Sequence, residues 1–266
     1  MSTFASTLPT LPLIRADLLK LRRRRGLVVV ASLLTVGAVV VTYGLIELFH
    51  LVNPARYGPA GGIENLGNGT NVVVGLGAVA AIIVGSVAGV GDLQAGVYRN
   101  LVVTGRSRLA LYAARIPGGL AFLLPLVTTA FSLAAVASVV LAGSREVPDL
   151  QLIVKTGLWA LLQVAFLYLL AVGVSCAVGS RAYTIGIVLA WQLAVSPIVM
   201  SISALGIFRE LVPSAAIQEL APAGLGDTVR GGPVVPMSLA AVAAVLVVWP
   251  LVVLAIGAWR DTTRDA

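Results

Sequence analysis

Six long stretches of this chain carry no charged side chain at all: Gly26 to Ile46, Asn65 to Gly91, Ile116 to Ser144, Thr156 to Ser180, Ala182 to Phe208 and Gly231 to Trp259. Within them apolar residues fall on every side of a helix, so no polar face is left for water. A helix needs about 20 mainly apolar residues to cross a bilayer core, and an ionised group at its middle costs about 3 kcal/mol. With Gly, Pro and Asn trimmed from the edges, the pattern predicts six transmembrane helices over 26–49, 71–91, 114–142, 153–178, 183–206 and 236–259. The fold expected is all-α, a single polytopic domain over 1–266.

The segment 1–25 reads differently. Leu11, Ile14, Leu18 and Leu21 form one helical stripe, with Arg15, Lys20 and Arg22 beside it. That is an amphipathic helix suited to a membrane surface. Two further segments lie between the runs. One, 92–113, is basic and interleaved with apolar residues; the other, 207–235, is longer and broken by Pro213 and Pro222.

Composition agrees with the pattern. At 59% hydrophobic residues and a mean hydropathy of +1.01, the chain is too apolar to be a soluble globule. The net charge of +7 and pI near 10.2 would suit a nucleic-acid binder if the charges formed one face, but they follow topology instead. With the N-terminus inside, Arg15, Lys20, Arg22, Arg23, Arg24, Arg25, Arg99, Arg106, Arg108, Arg115, Arg181, Arg260 and Arg264 all fall on the cytoplasmic side, leaving Arg56, Arg145, Lys155, Arg209 and Arg230 outside. Positive charge is retained inside, so both termini are expected in the cytoplasm, with Arg15, Lys20 and Arg22 to Arg25 as inner-leaflet anchors and no nucleic-acid partner. The apolar run after Arg25 is too long for a cleaved signal, which favours a retained first helix.

Candidate chemistry is sparse. A metal site needs three or four donors, but the chain has one His and one Cys, so no metal site is expected, and Cys176 reads as a small packing residue. His50 and Glu47 stand three apart and keep an intramembrane enzyme open as an alternative, although no serine sits in a G-x-S-x-G frame. "GLGAVA" at Gly75 to Ala80 lies inside an apolar run and reads as helix packing, and no Walker A lysine is present. A secondary carrier, the other alternative, commonly needs buried ionisable groups that these runs lack. Gly85 and Gly89 suit close helix contact, while Pro125, Pro197 and Pro250 suit helix bends.

The basic segment "GDLQAGVYRNLVVTGRSRLALYAAR" resembles the permease subunits of type-2 ATP-binding-cassette (ABC) exporters. Asp92 matches an acidic position, Gly96 a glycine, Leu101 and Val102 an apolar pair, Ser107 and Arg108 a Ser-Arg, and Arg115 a basic residue seven further on. Val97, Gly105 and Arg115 depart from the Thr, Pro and Lys of the pattern. The resemblance extends to the order of the whole chain: amphipathic helix, six spans, and a long outside loop with short helices that dip back.

The resemblance implies a coupling helix over 92–113 that docks on an ATPase through Asp92, Gly96, Arg99, Leu101, Arg106, Arg108 and Arg115. It also implies a second permease, identical or homologous, and two copies of a separate ATPase that bind ATP and Mg, with no cofactor in this chain. Export across a bacterial cytoplasmic membrane is the function it implies, and the apolar, uncharged spans point to a lipophilic cargo, a drug, lipid or peptide-like molecule. A structural membrane component is the remaining reading, and the substrate contacts stay unassigned.

Overall fold

In the computed structural model, residues 10–94, 96, 107–228 and 234–263 are described. They are helical, with no strand among the described residues. The order is α1 (Leu11–Arg23), α2 (Arg25–Ser32), α3 (Ala38–Val52), α4 (Ile63–Gln94), α5 (Arg108–Val140), α6 (Leu150–Val178), α7 (Arg181–Ala190), α8 (Ser196–Ser201), α9 (Pro213–Glu219) and α10 (Leu239–Thr263). A π-helical turn at Leu33–Gly37 joins α2 to α3, and another at Trp191–Val195 joins α7 to α8. Six helical units, Arg25–Val52, α4, α5, α6, Arg181–Ser201 and α10, are long and apolar enough to cross a membrane.

Local signals set the helix ends. Asp149 caps α6 by accepting from the Leu152 N–H at 2.6 Å, and Ser107 caps α5 by accepting from Ala110 at 3.1 Å. Gly179, at φ 78, stops α6 in the left-handed conformation that a side chain rarely adopts, and α7 begins two residues later. Helix α4 starts well before the expected residue 71. Asn65 in its first turn is buried, yet its amide donates to the carbonyls of Pro59 and Gly61 at 3.1 and 3.2 Å. A satisfied amide can sit where hydropathy alone predicts a loop. The fifth unit ends at Ser201, short of the expected 206; a 3-10 segment, Ser203–Leu211, follows, with Gly206 at φ 50. Pro213 opens α9, where its missing N–H costs nothing, and a second 3-10 turn covers Ala223–Thr228.

Helices α4 and α6 form the centre. Of the most apolar stretch of α4, 61% is buried, against 17% for α10, which lies at the periphery. Their close approach depends on small residues. A Cβ on Gly85 would lie 2.9 Å from the Tyr168 carbonyl, and one on Gly89 would lie 3.0 Å from the Val172 carbonyl. Helix α10 meets α6 the same way, since a Cβ on Gly173 would lie 2.6 Å from the Val253 carbonyl. Backbones this close gain dispersion contacts, the main attraction between helices when lipid is as apolar as the side chains. Pro117 and Pro125 lie within α5 and Pro250 within α10, while Pro197 sits at the start of α8 directly after a π turn.

Candidate functional site

One cluster of the charges that the spans exclude lies at the end of the bundle where α1 crosses α5. Gly118 makes this crossing possible: a Cβ there would lie 3.0 Å from Asp17 Cβ and 3.3 Å from the Ile14 carbonyl. Of the expected stripe, Leu21 is buried and Ile14 and Leu18 are half-buried, while Leu11 stays exposed. The stripe therefore turns largely toward the protein.

Asp17 is on the same inward face. Lys20 Nζ donates to Asp17 Oδ1 and to Asp92 Oδ2, both at 2.9 Å, so one ammonium ties α1 to the last turn of α4. Burial pushes the Asp17 carboxyl above its ordinary value, and Lys20 only partly offsets this. For Lys20, burial pulls downward, but the two carboxylates outweigh it and hold the ammonium above its ordinary value.

Behind this bridge lies Arg115, 4% exposed. Its Nη1 donates to the Gly89 carbonyl at 2.9 Å, to Asp261 Oδ1 at 3.3 Å and to Cys176 Sγ at 3.4 Å. The Tyr168 hydroxyl donates to the Arg115 carbonyl at 2.7 Å. Nearby, the Tyr112 hydroxyl donates to the Leu254 carbonyl at 2.8 Å, and Arg108 Nη1 to the Thr262 carbonyl at 3.2 Å. The charged joint thus links α1, α4, α5, α6 and the end of α10. A cleft of about 20 Å³ remains between Asp17, Lys20, Arg24, Asp92 and Arg115, room for one water.

The residues expected from the sequence divide into three groups. Asp92, Lys20 and Arg115 meet within the joint, and Arg108 lies beside it; Arg115 is turned inward, so it braces helices instead of forming an outer surface. Gly96 has φ 67 and its N–H bonds the Leu93 carbonyl at 3.1 Å, a turn for which glycine is suited. Arg99, Leu101 and Arg106 lie outside the described residues, as do Val97, Val102 and Gly105. Arg15, Arg22, Arg23 and Arg25 are exposed and Arg24 is half-buried.

Asp17, Asp261, Tyr112 and Tyr168 were missed. An Asp-Lys pair three apart, Asp17 and Lys20, was a readable signal in α1. Nothing in the sequence joins Asp261 to Arg115 across 146 positions.

His50 and Glu47 each bond a backbone group instead of one another. His50 Nδ1 donates to the Tyr57 carbonyl at 2.7 Å, and Glu47 Oε2 accepts from the Ala60 N–H at 3.4 Å. Each steadies the turn between α3 and α4. Among the described residues no group of three His, Cys, Asp or Glu could hold a metal. The joint's carboxylates Asp17, Asp92 and Asp261 are each engaged by a cation. No protein-family model matches the chain, and no curated protein matches it.

Proposed function

We propose that this chain is a membrane-spanning permease subunit of an ATP-driven exporter of the ABC class, multi-pass in the cytoplasmic membrane with both ends inside. It works with a second permease and with two copies of a separate ATPase that bind ATP and Mg. The observation that carries the reading is the charged joint. It ties α1 to the helix ends on both sides of the basic 92–113 segment, with Lys20 on Asp92 before it and Arg115 on Asp261 and Gly89 after it. A push on that segment by an ATPase would therefore reach α4, α5, α6 and α10 together.

Two features support the rest of the reading. Basic residues concentrate at the α1 end, in accord with a cytoplasmic face. An apolar groove of about 350 Å³ between Phe131, Val136, Val140 and Ile153 is compatible with a lipophilic cargo.

The test is recovery of the tagged chain from its native membranes in mild detergent. A nucleotide-binding ATPase should accompany it, and the double reversal Arg99→Glu/Arg106→Glu should weaken that association by about tenfold or more. Recovery of the chain alone, or association and ATPase activity unchanged by the reversal, would sink the proposal.

A further inference from the structure

At the end of the bundle away from α1, a cavity of about 560 Å³ lies between the start of α4, the first turns of α6 and the 3-10 turn Ala223–Thr228. Its size is that of a small-ligand site. Local bonds fix its walls. The Ile63 N–H donates to the Glu146 carbonyl at 3.0 Å, and the Leu152 N–H to Asp149 Oδ1 at 2.6 Å. On the third side a Cβ on Gly224 would lie 2.9 Å from Leu152 Cδ1, so the 3-10 turn sits directly on α6. The Ile217 carbonyl, in the helix leading to that turn, is held by Trp159 Nε1 at 2.7 Å.

The lining carries charge of both signs. Lys155 comes from α6, Glu146 and Asp149 from the segment leading into it, and the Gln151 amide also faces the cavity. Among the described residues, no carboxylate lies within 4.0 Å of the Lys155 ammonium. Opposite charges that line one cavity yet stand apart leave room between them for a ligand that carries both signs.

The surroundings select its class. Leu150 opens a helix long and apolar enough to cross a membrane, so the first turns of α6 lie at the depth of lipid headgroups. Along the same turns Val154 and Leu158 are 50% and 63% exposed, an apolar surface for acyl chains. A zwitterionic headgroup offers a phosphate to Lys155 and Gln151, and an ammonium to Glu146 and Asp149. Among the described residues no aromatic lines the cavity, so a quaternary ammonium finds no cage there. A primary ammonium, with three N–H groups to donate to carboxylates, matches the lining.

We propose that this cavity binds a phosphoethanolamine group, supplied by a phosphatidylethanolamine headgroup or by the free zwitterion. The site goes beyond the exporter reading. It rests on the membrane-crossing reading of the helices and is independent of the ATPase partnership.

The full chain is incorporated into phosphatidylcholine vesicles containing equal minor fractions of phosphatidylethanolamine and phosphatidylglycerol, then extracted in mild detergent, and its retained lipid is counted. Phosphatidylethanolamine should be enriched over both other lipids. Lys155→Gln should lower that enrichment about fivefold, and Lys155→Arg should keep most of it. Glu146→Gln/Asp149→Asn should also lower it and shift retention toward phosphatidylglycerol, which has no ammonium; the asparagine preserves the helix cap. Such a reversal of headgroup preference is not produced by loss of fold. Arg56→Gln removes an exposed cation from the same end and should leave retention unchanged. Binding of soluble phosphoethanolamine without lipid enrichment would support the site with a free source. No preference for phosphatidylethanolamine together with no phosphoethanolamine binding, or a loss in Arg56→Gln as large as in Lys155→Gln, would overturn the site alone. Failure to incorporate into vesicles would overturn the membrane reading and the site with it.

Discussion

The two ends of the bundle are fastened by different chemistry. At the α1 end, buried and half-buried charges do the fastening through Lys20 between two aspartates and Arg115 against Asp261. At the far end the fasteners are neutral and aimed at backbone. Trp159 Nε1 donates to the Ile217 carbonyl at 2.7 Å, and Trp249 Nε1 to that of Leu211 at 2.8 Å. The Tyr43 hydroxyl donates to the Asn65 carbonyl at 2.7 Å. An ion pair at the far end, Arg145 with Glu64 at 3.2 Å, lies on the surface, with Glu64 70% exposed. Charged contacts are strong when shielded and answer to pH and salt; indole-to-carbonyl bonds answer to neither. The α1 end is thus the more sensitive to pH and salt, while the far end holds its short helices by neutral bonds to backbone.

Arg115→Leu should break this comparison most severely. It removes the buried guanidinium that ties α5 to Gly89 and Asp261, and should lower stability by about 3–5 kcal/mol, read from thermal unfolding in detergent. Gly173→Ala comes next. Its Cβ would press on the Val253 backbone, which cannot swing aside, so a loss of about 1–3 kcal/mol is expected by the same measurement.

Lys20→Met should release α1 from α4 for a smaller loss of about 1 kcal/mol, discounted because Lys20 is 39% exposed. Hydrogen exchange in α1 would report it. The same tie has a pH signature. The folded value of Lys20 is raised above 10.5, so its contribution is complete below pH 10.5 and is lost as pH climbs through the raised value. Asp17 acts in the other direction: its folded value is raised above 3.8, so acidification into that window relieves the cost of a shielded carboxylate. Alkaline release of α1 in the wild type, absent in Lys20→Met, would sharpen the contrast between the ends.

At the far end, Trp159→Phe should cost about 1 kcal/mol with no dependence on salt. Arg145→Ala should change stability by less than about 0.5 kcal/mol. A salt-dependent Trp159→Phe, or a large Arg145→Ala effect, would collapse the distinction between the two ends.

The spans were legible because hydropathy is summed over many residues, and a local error shifts only a boundary. Asn65 is such an error: its polar side chain argues for a loop, and only the nearby carbonyls of Pro59 and Gly61 let it sit in a helix. The π turns at Leu33–Gly37 and Trp191–Val195 left no readable signal, since one added residue per turn hardly alters an apolar run. The joint was half legible. Asp92, Lys20 and Arg115 stood out as charges at span edges, but their partners were chosen by helix packing across long separations.

By itself the sequence determined which segments avoid water and where charge accumulates, because both follow from the solvation of each residue in turn. Only the tertiary structure decided that Lys20 answers Asp92 and that Arg115 faces inward to Asp261. A side chain's partner depends on which helices cross and how closely, and those crossings are set by small residues such as Gly89, Gly118 and Gly173, whose neighbours lie far away along the chain.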